Sequence, residues 1–491
     1  MTGKAAKEKD KVTGKAAKEK DKVTEKAAIK EMDKVTDEAR REERILRMTT
    51  GKIYPLLIRM AIPSMVGMMV STVYGMTDTY FVGKLNDAAL TASVGVVFTF
   101  ISIVQAIGFW FGYGAGNHAS RMIGNKETER AEEMAATGVF LAILTGIVIV
   151  IGGLCLLRPM AELLGAGKDK ALLSATMDYL RITVCGAPFL LISNVIYNEL
   201  RLTGSGKSSM MGLVVGMGIN MALDPVLILH FHLGVKGAAY ASLLGQLTGM
   251  VMLCMETRKD GNLRIDLRKS KLDVKHLTAI LSGGAPNFCR QGISSVSSLL
   301  LNQVAGGFSV DALAAVTIAN KITYIAYALV IGFGQGFQPI CAMNYGAKKY
   351  DRIRKAFYLT LATVTGFLVI SVAFLLWRTE LLTKAFTAQG SVSALVIPMV
   401  RAQCIVLPFM GYYVLIGMCL QNIGKFGLAT CVTTLENGAC FIPALFLCTA
   451  FLGETGLVAF KPVASAASLF ISILIGTRAW KKYLTERKAS E

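Results

Sequence analysis

The sequence predicts an all-α polytopic membrane protein, with about twelve transmembrane helices in two six-helix lobes related by pseudo-twofold symmetry along the membrane normal. Three observations predict it. The 491 residues are 53% hydrophobic and only 17% charged, with a mean hydropathy of +0.51, far more apolar than a soluble domain. Apolar stretches of about 20 residues or more recur from Ile53 onward, each able to cross roughly 30 Å of hydrocarbon. The chain also repeats itself at an offset near 220 residues. "RMAIPSM" at Arg59 returns as "SGGAPNF" at Ser282, "GYGAG" at Gly112 as "GFGQG" at Gly332, and "YLRITVCGAPF" at Tyr179 as "MVRAQCIVLPF" at Met399. Six helices per repeat give both copies the same orientation, so the axis relating them runs along the membrane normal.

Residues 1–48 are polar and repetitive, with "TGKAAKEKDKV" at Thr2 and again at Thr13. No apolar run marks a cleaved leader there, and a charged cytosolic extension that does no chemistry is expected. Spans follow near 53–82, 89–114, 132–156, 172–200, 209–230, 237–255, 277–304, 312–338, 355–376, 393–420, 428–450 and 457–477. An N-lobe (51–256) and a C-lobe (277–484) are thus joined by a linker, 257–276. "SRMIGNKETER", "ETRKDGNLRIDLRKSKLDVK" and "YGAKKYDRIRK" lie on one side of the membrane, whereas "GGFSVDA" and "LGETG" on the other hold almost no Lys or Arg. That asymmetry places both termini and the linker in the cytoplasm of a plasma-membrane protein.

The net charge of +19 therefore reads as orientation in a lipid bilayer, and no nucleic-acid partner is expected. The 10 cysteines form no CxxC pair and fall mainly inside apolar segments, as small hydrophobes do. "TGSGKSS" at Thr203 has Arg201 where a phosphate loop needs glycine, and no converging nucleophile and base suggest an enzyme.

Aspartates inside spans are costly, at roughly 2.5 kcal/mol or more, and point to function. Asp78 ends the first span in "VSTVYGMTDTYFVGKL"; the fifth reads "GMGINMALDPVLIL", with Asn220 and Asp224 on one helical face. At 1.5 Å per residue, Asp78, Asp224 and Ser242 each lie about 7–9 Å from the outer ends of their helices. Two carboxylates, an amide and a hydroxyl at one depth offer hard oxygen ligands for a small cation or a shared proton.

"DTYFVG", "RMIGNKE", "GAPF", "LRLTGSGK" and "NMALDPVLI", with the duplicated halves, resemble the multidrug and toxic compound extrusion (MATE) family, its MepA-like branch in particular, over about residues 51–480. The resemblance implies a secondary active antiporter that exports small amphipathic or cationic drugs in exchange for H+ or Na+, with no cofactor. It assigns ion coupling to Asp78, Asn220, Asp224, Ala238 and Ser242, with possible Na+ at the first three, and helix bending to Pro63. A monomer is expected. The NorM-like branch carries acids in its C-lobe; here the counterpart of "INMALDP" is "ENGACFIP", which leaves Glu436 as the main acid. Glu436 and Glu199 are candidate substrate charges, Glu199 alternatively pairing with Arg201. The alternative is a lipid-linked or polysaccharide flippase of the wider superfamily, which Arg290 and Lys321 favour through their attraction for phosphate.

Overall fold

The computed structural model describes residues 35–83, 87–167, 169–387 and 390–485; within these, nothing is described of the side chains of residues 72–80, 88, 325 and 385. Helix α1 covers residues 35–50. The N-lobe follows as α2 (Ile53–Gly83), α3 (Ala88–Gly124), α4 (Thr128–Cys155), a short α5 (Leu157–Ala161), α6 (Lys170–Leu202), α7 (Gly206–Pro225) and α8 (Val235–Thr257). The C-lobe holds α9 (Val274–Phe308), α10 (Val310–Gly346), α11 (Tyr350–Phe386), α12 (Gly390–Asn422), α13 (Phe426–Thr434), α14 (Phe441–Leu452) and α15 (Gly456–Tyr483).

The fold is a multi-pass helical membrane protein with twelve crossings. Ten described helical stretches are long and apolar enough to cross a bilayer. The last of these, Phe426–Tyr483, turns back at Gly453 and supplies two crossings, and α9, more polar for its length, supplies the twelfth. A belt of exposed apolar side chains, including Val148, Ile151, Ile370, Trp377, Phe451 and Phe470, suits lipid contact. Helices α3 and α10 run to Gly124 and Gly346, beyond the expected ends near 114 and 338, because their last turns leave the apolar zone and bury against the other lobe.

The internal repeat is written in the backbone. Lys126 and Lys348, Gly204 and Gly424, and Gly234 and Gly453 all have positive φ, at offsets of 222, 220 and 219 residues. Equivalent helices also carry equivalent defects. One π-helical turn, Val226–His230, follows Pro225, and another, Leu435–Ala439, joins α13 to α14.

The loops at residues 125–127, 203–205, 258–273, 347–349 and 423–425 share one face with α1, here called basal. The lobes meet in the basal halves of their helices. A Cβ on Gly114 would lie 2.0 Å from the Ile280 carbonyl oxygen, one on Gly284 1.8 Å from that of Trp110, and one on Gly124 2.1 Å from that of Met343. Gly332 and Gly336 likewise press on Met65 and Ala61. The "GYGAG" and "GFGQG" repeats thus supply close packing: Gly114, Gly332 and Gly336 against backbone across the seam, Gly112 and Gly116 against α6 within the N-lobe, and Gly334 against the Met418 and Leu415 side chains within the C-lobe. Trp110 seals this seam, its indole N–H donating to the Leu281 carbonyl at 2.7 Å while its ring stacks on Phe288 at 4.2 Å.

Residues 35–48 do more than a solvated extension would. Met48 is fully buried in a hydrophobic cluster drawn from both lobes, with Ile123, Phe337 and Met343.

Candidate functional site

The candidate site forms where α7 and α8 cross in antiparallel contact. Glycines set their spacing: Gly216 lies against the Gly245 carbonyl and Gly249, Gly212 against Leu253, and Gly237 against the backbone of Leu227 and Ile228. Side chains there would force the helices apart. The resulting register brings Asn220 to Ser242, whose Oγ accepts from Asn220 Nδ2 at 3.1 Å, and sets Asp224 at the level of Ala238. All four residues are buried, Asp224 and Ala238 completely.

Pro225 follows Asp224 inside the helix and cannot donate a backbone bond, so the chain relaxes into the π-helical turn Val226–His230. Asn220 Oδ1 accepts no hydrogen bond among the described residues. A buried amide oxygen, a hydroxyl and a carboxylate suit a small hard cation or a proton, which satisfies an acceptor that would otherwise be costly. Among the described residues there is no cluster of three or more His, Cys, Asp or Glu side chains that could hold a transition metal.

Asp78 lies in α2, and its side chain is outside the described residues. Its register can still be followed. Gly206 at the start of α7 approaches Pro63 of α2, buried within its helix. Both helices rise from the basal face, and fifteen residues further, about 22 Å at 1.5 Å per residue, they reach Asp78 and Met221. The backbone of Asp78 is therefore level with Asn220 and Asp224.

Glu199 stands apart from this group. It is fully buried on α6 against Gly138 and Ala115, and neither carboxyl oxygen has a hydrogen-bond partner among the described residues. Arg201 does not pair with it, so of the two alternatives offered for Glu199 the ion pair does not form. The guanidinium, 2% exposed, reaches across the seam to Gln338 Oε1 at 2.7 Å and the Gln335 carbonyl at 3.3 Å, with Asn198 Oδ1 at 3.0 Å and the Tyr113 ring beneath it.

Glu436 lies in a C-lobe polar network that sequence reasoning largely missed. Tyr413, Arg290 and Lys461 lie near enough to the Glu436 carboxyl to act on it electrostatically. Lys461 Nζ donates to Asn320 Oδ1 at 3.0 Å and Gln403 Oε1 at 3.3 Å, and Thr323 donates to the same Gln403 oxygen at 2.8 Å. Two cationic side chains thus lie within electrostatic range of one acid. The available signal was Lys461 itself, a lone lysine in the twelfth span. Lys321, by contrast, is exposed.

The MatE family profile matches residues 63–226 and 286–448, so it covers corresponding parts of both lobes. The multidrug export protein MepA of Staphylococcus haemolyticus (strain JCSC1435) is 23% identical over 451 residues, covering 92% of this chain and 99% of that protein. MepA of Staphylococcus aureus (strain NCTC 8325 / PS 47) is 23% identical over 436 residues, covering 89% and 96%. Among solved structures, a MATE transporter in complex with MaL6 superposes with a TM-score of 0.83 at 23% identity, covering 89% of this chain and 98% of that one. A MOP superfamily transporter from Pyrococcus furiosus superposes at 0.82 with 22% identity, covering 90% and 99%. Profile, length and fold agree, and the chain belongs to the MatE family.

Proposed function

We propose that this protein is a secondary active multidrug efflux antiporter, exporting small amphipathic or cationic compounds in exchange for H+ or Na+ by alternating access. The observation that carries the reading is the buried Asn220–Ser242 pair beside Asp224, level with the backbone of Asp78, in a lobe packed on its partner along a glycine seam. The MepA relatives are named as multidrug export proteins, which supports the substrate class. Ion binding neutralises Asp224 and Asp78 and favours one lobe arrangement; substrate favours the other, and the difference in affinity between the two states drives transport. With the basal face cytoplasmic, closure there is the outward-open state. Ethidium efflux from proteoliposomes under an imposed Na+ or pH gradient, one at a time, tests this. Efflux driven by at least one gradient is expected, and efflux driven by neither refutes it.

The C-lobe network favours a second reading, flipping of a lipid-linked phosphate, because Arg290 and Lys461 outnumber Glu436. Glu436→Gln separates the two. A drug exporter loses only certain cationic substrates, whereas a flippase gains affinity for phosphate-bearing ones.

A further inference from the structure

Helix α1 is tied to three separate parts of the molecule. On the N-lobe side, Arg41 Nη1 meets Glu132 of α4 at 2.7 Å, and Arg44 donates to Ser205 in the α6–α7 turn. On the interlobe linker, Arg44 Nη2 donates to Asn262 Oδ1 at 2.9 Å, the Gly261 N–H donates to Asp37 at 2.5 Å, and Arg264 pairs with Asp37 at 3.1 Å. On the C-lobe side, Asn344 donates to the Met48 carbonyl at 3.1 Å and Lys349 to that of Thr49 at 3.0 Å, while Arg352 reaches that of Gly51 at 2.7 Å. Between the two ends, the Met48 side-chain tip lies against Gly204 of one lobe and clusters with Met343 of the other.

We propose that α1 is a basal strap, which holds the lobes together on this face and so biases the lobe equilibrium toward the basal-closed state. The geometry makes it a conformational device as well as a brace. Gly204 and Met343 belong to different lobes, and parting them on the basal side pulls Met48 from one or the other. Basal opening must therefore break either the arginine ties to the N-lobe or the three carbonyl contacts to the C-lobe. The strap favours only the closed state, and a contact that discriminates between two states shifts their populations by its own free energy. Most of its ties are half-buried and so weakly screened by salt, unlike the exposed Arg40–Asp260 pair.

The inference rests on the alternating-access reading, but its test reads the seam directly and uses the full chain. Trp110 stacks across the seam, so Trp377→Phe and Trp480→Phe together leave it as the single tryptophan. Acrylamide quenching of Trp110 is then compared in Arg41→Gln/Arg44→Gln, in Lys349→Gln/Arg352→Gln, in all four combined, and in Arg40→Gln. A strap must be held at both ends, so releasing either end raises the quenching constant about two-fold and releasing both adds little more, while Arg40→Gln changes nothing. Unchanged quenching overturns the proposal, even if thermal stability falls. So do additive effects of the two ends, which mark independent braces within each lobe. Gradient-driven efflux is scored separately, so failure of the strap and failure of the transport reading remain distinct.

Discussion

Asn220 Nδ2 on α7 donates to Ser242 Oγ on α8 at 3.1 Å, a side-chain bond between two buried residues that joins the two helices beside Asp224. Interhelical bonds of this kind contribute about 0.6–2 kcal/mol in a membrane. Ser242→Ala should therefore lower thermal stability by about 1 kcal/mol and reduce ion-driven efflux several-fold. Ser242→Thr, which keeps the hydroxyl, should retain most of both. Equal efflux from the alanine and threonine variants would remove the hydroxyl from the site.

Arg201 joins the lobes through the Gln338 side chain and the Gln335 carbonyl. Its planar fork serves acceptors in both lobes at once, which a lysine cannot do. Arg201→Ala and Arg201→Lys should each cost about 1.5–3 kcal/mol, the scale of hydrogen bonds to a charged group. Both should raise Trp110 quenching. Full rescue by lysine would reduce the contact to simple charge.

The seam predicts a contrast between glycines. Gly114→Ala places a methyl 2.0 Å from the Ile280 carbonyl oxygen, whereas Gly152→Ala on α4 meets nothing within 4 Å. Elsewhere in a helix the change stabilises by roughly 0.5–1 kcal/mol. Gly114→Ala should shift the lobes toward the basal-open state and slow efflux, with Gly152→Ala neutral or slightly stabilising. Matching efflux from the two variants would contradict the packing.

The linker is tied down through Lys269, whose ammonium donates to Glu132 at 2.6 Å. That bond holds the lysine pKa above its ordinary value. A raised pKa means the stabilisation is full below the unfolded value and lost only as pH rises through the higher folded one, so it persists through neutral pH. With the basal face cytoplasmic, Lys269→Cys should resist impermeant thiol reagents added to intact cells and label after permeabilisation. Labelling from outside would invert the topology.

The spans and the repeat were legible because both are written in local composition: apolar stretches of membrane length, and glycine and proline motifs that return near 220 residues later. The Asn220–Asp224 face was legible for the same reason, since helical spacing alone aligns them. The α1 contacts were not. Arg41 finds Glu132, and Lys349 finds Thr49 300 residues away, and no local pattern encodes such partners. The Glu199–Arg201 alternative rested on nearness in sequence, yet side chains two positions apart on a helix point about 200° apart. In the C-lobe, Asn320, Gln403 and Lys461 are single polar residues on three helices, and only the packing gathers them.

In the proposed antiport, the N-lobe acids couple ion binding to transport. Asp78→Asn and Asp224→Asn, reconstituted in proteoliposomes with drug inside and an imposed H+ or Na+ gradient, test it most directly. Both variants should reach the membrane and bind drug about as well as the parent protein, yet lose uphill efflux by at least ten-fold under either gradient. Parental gradient-driven efflux by both variants would show that these acids are structural and would contradict the account.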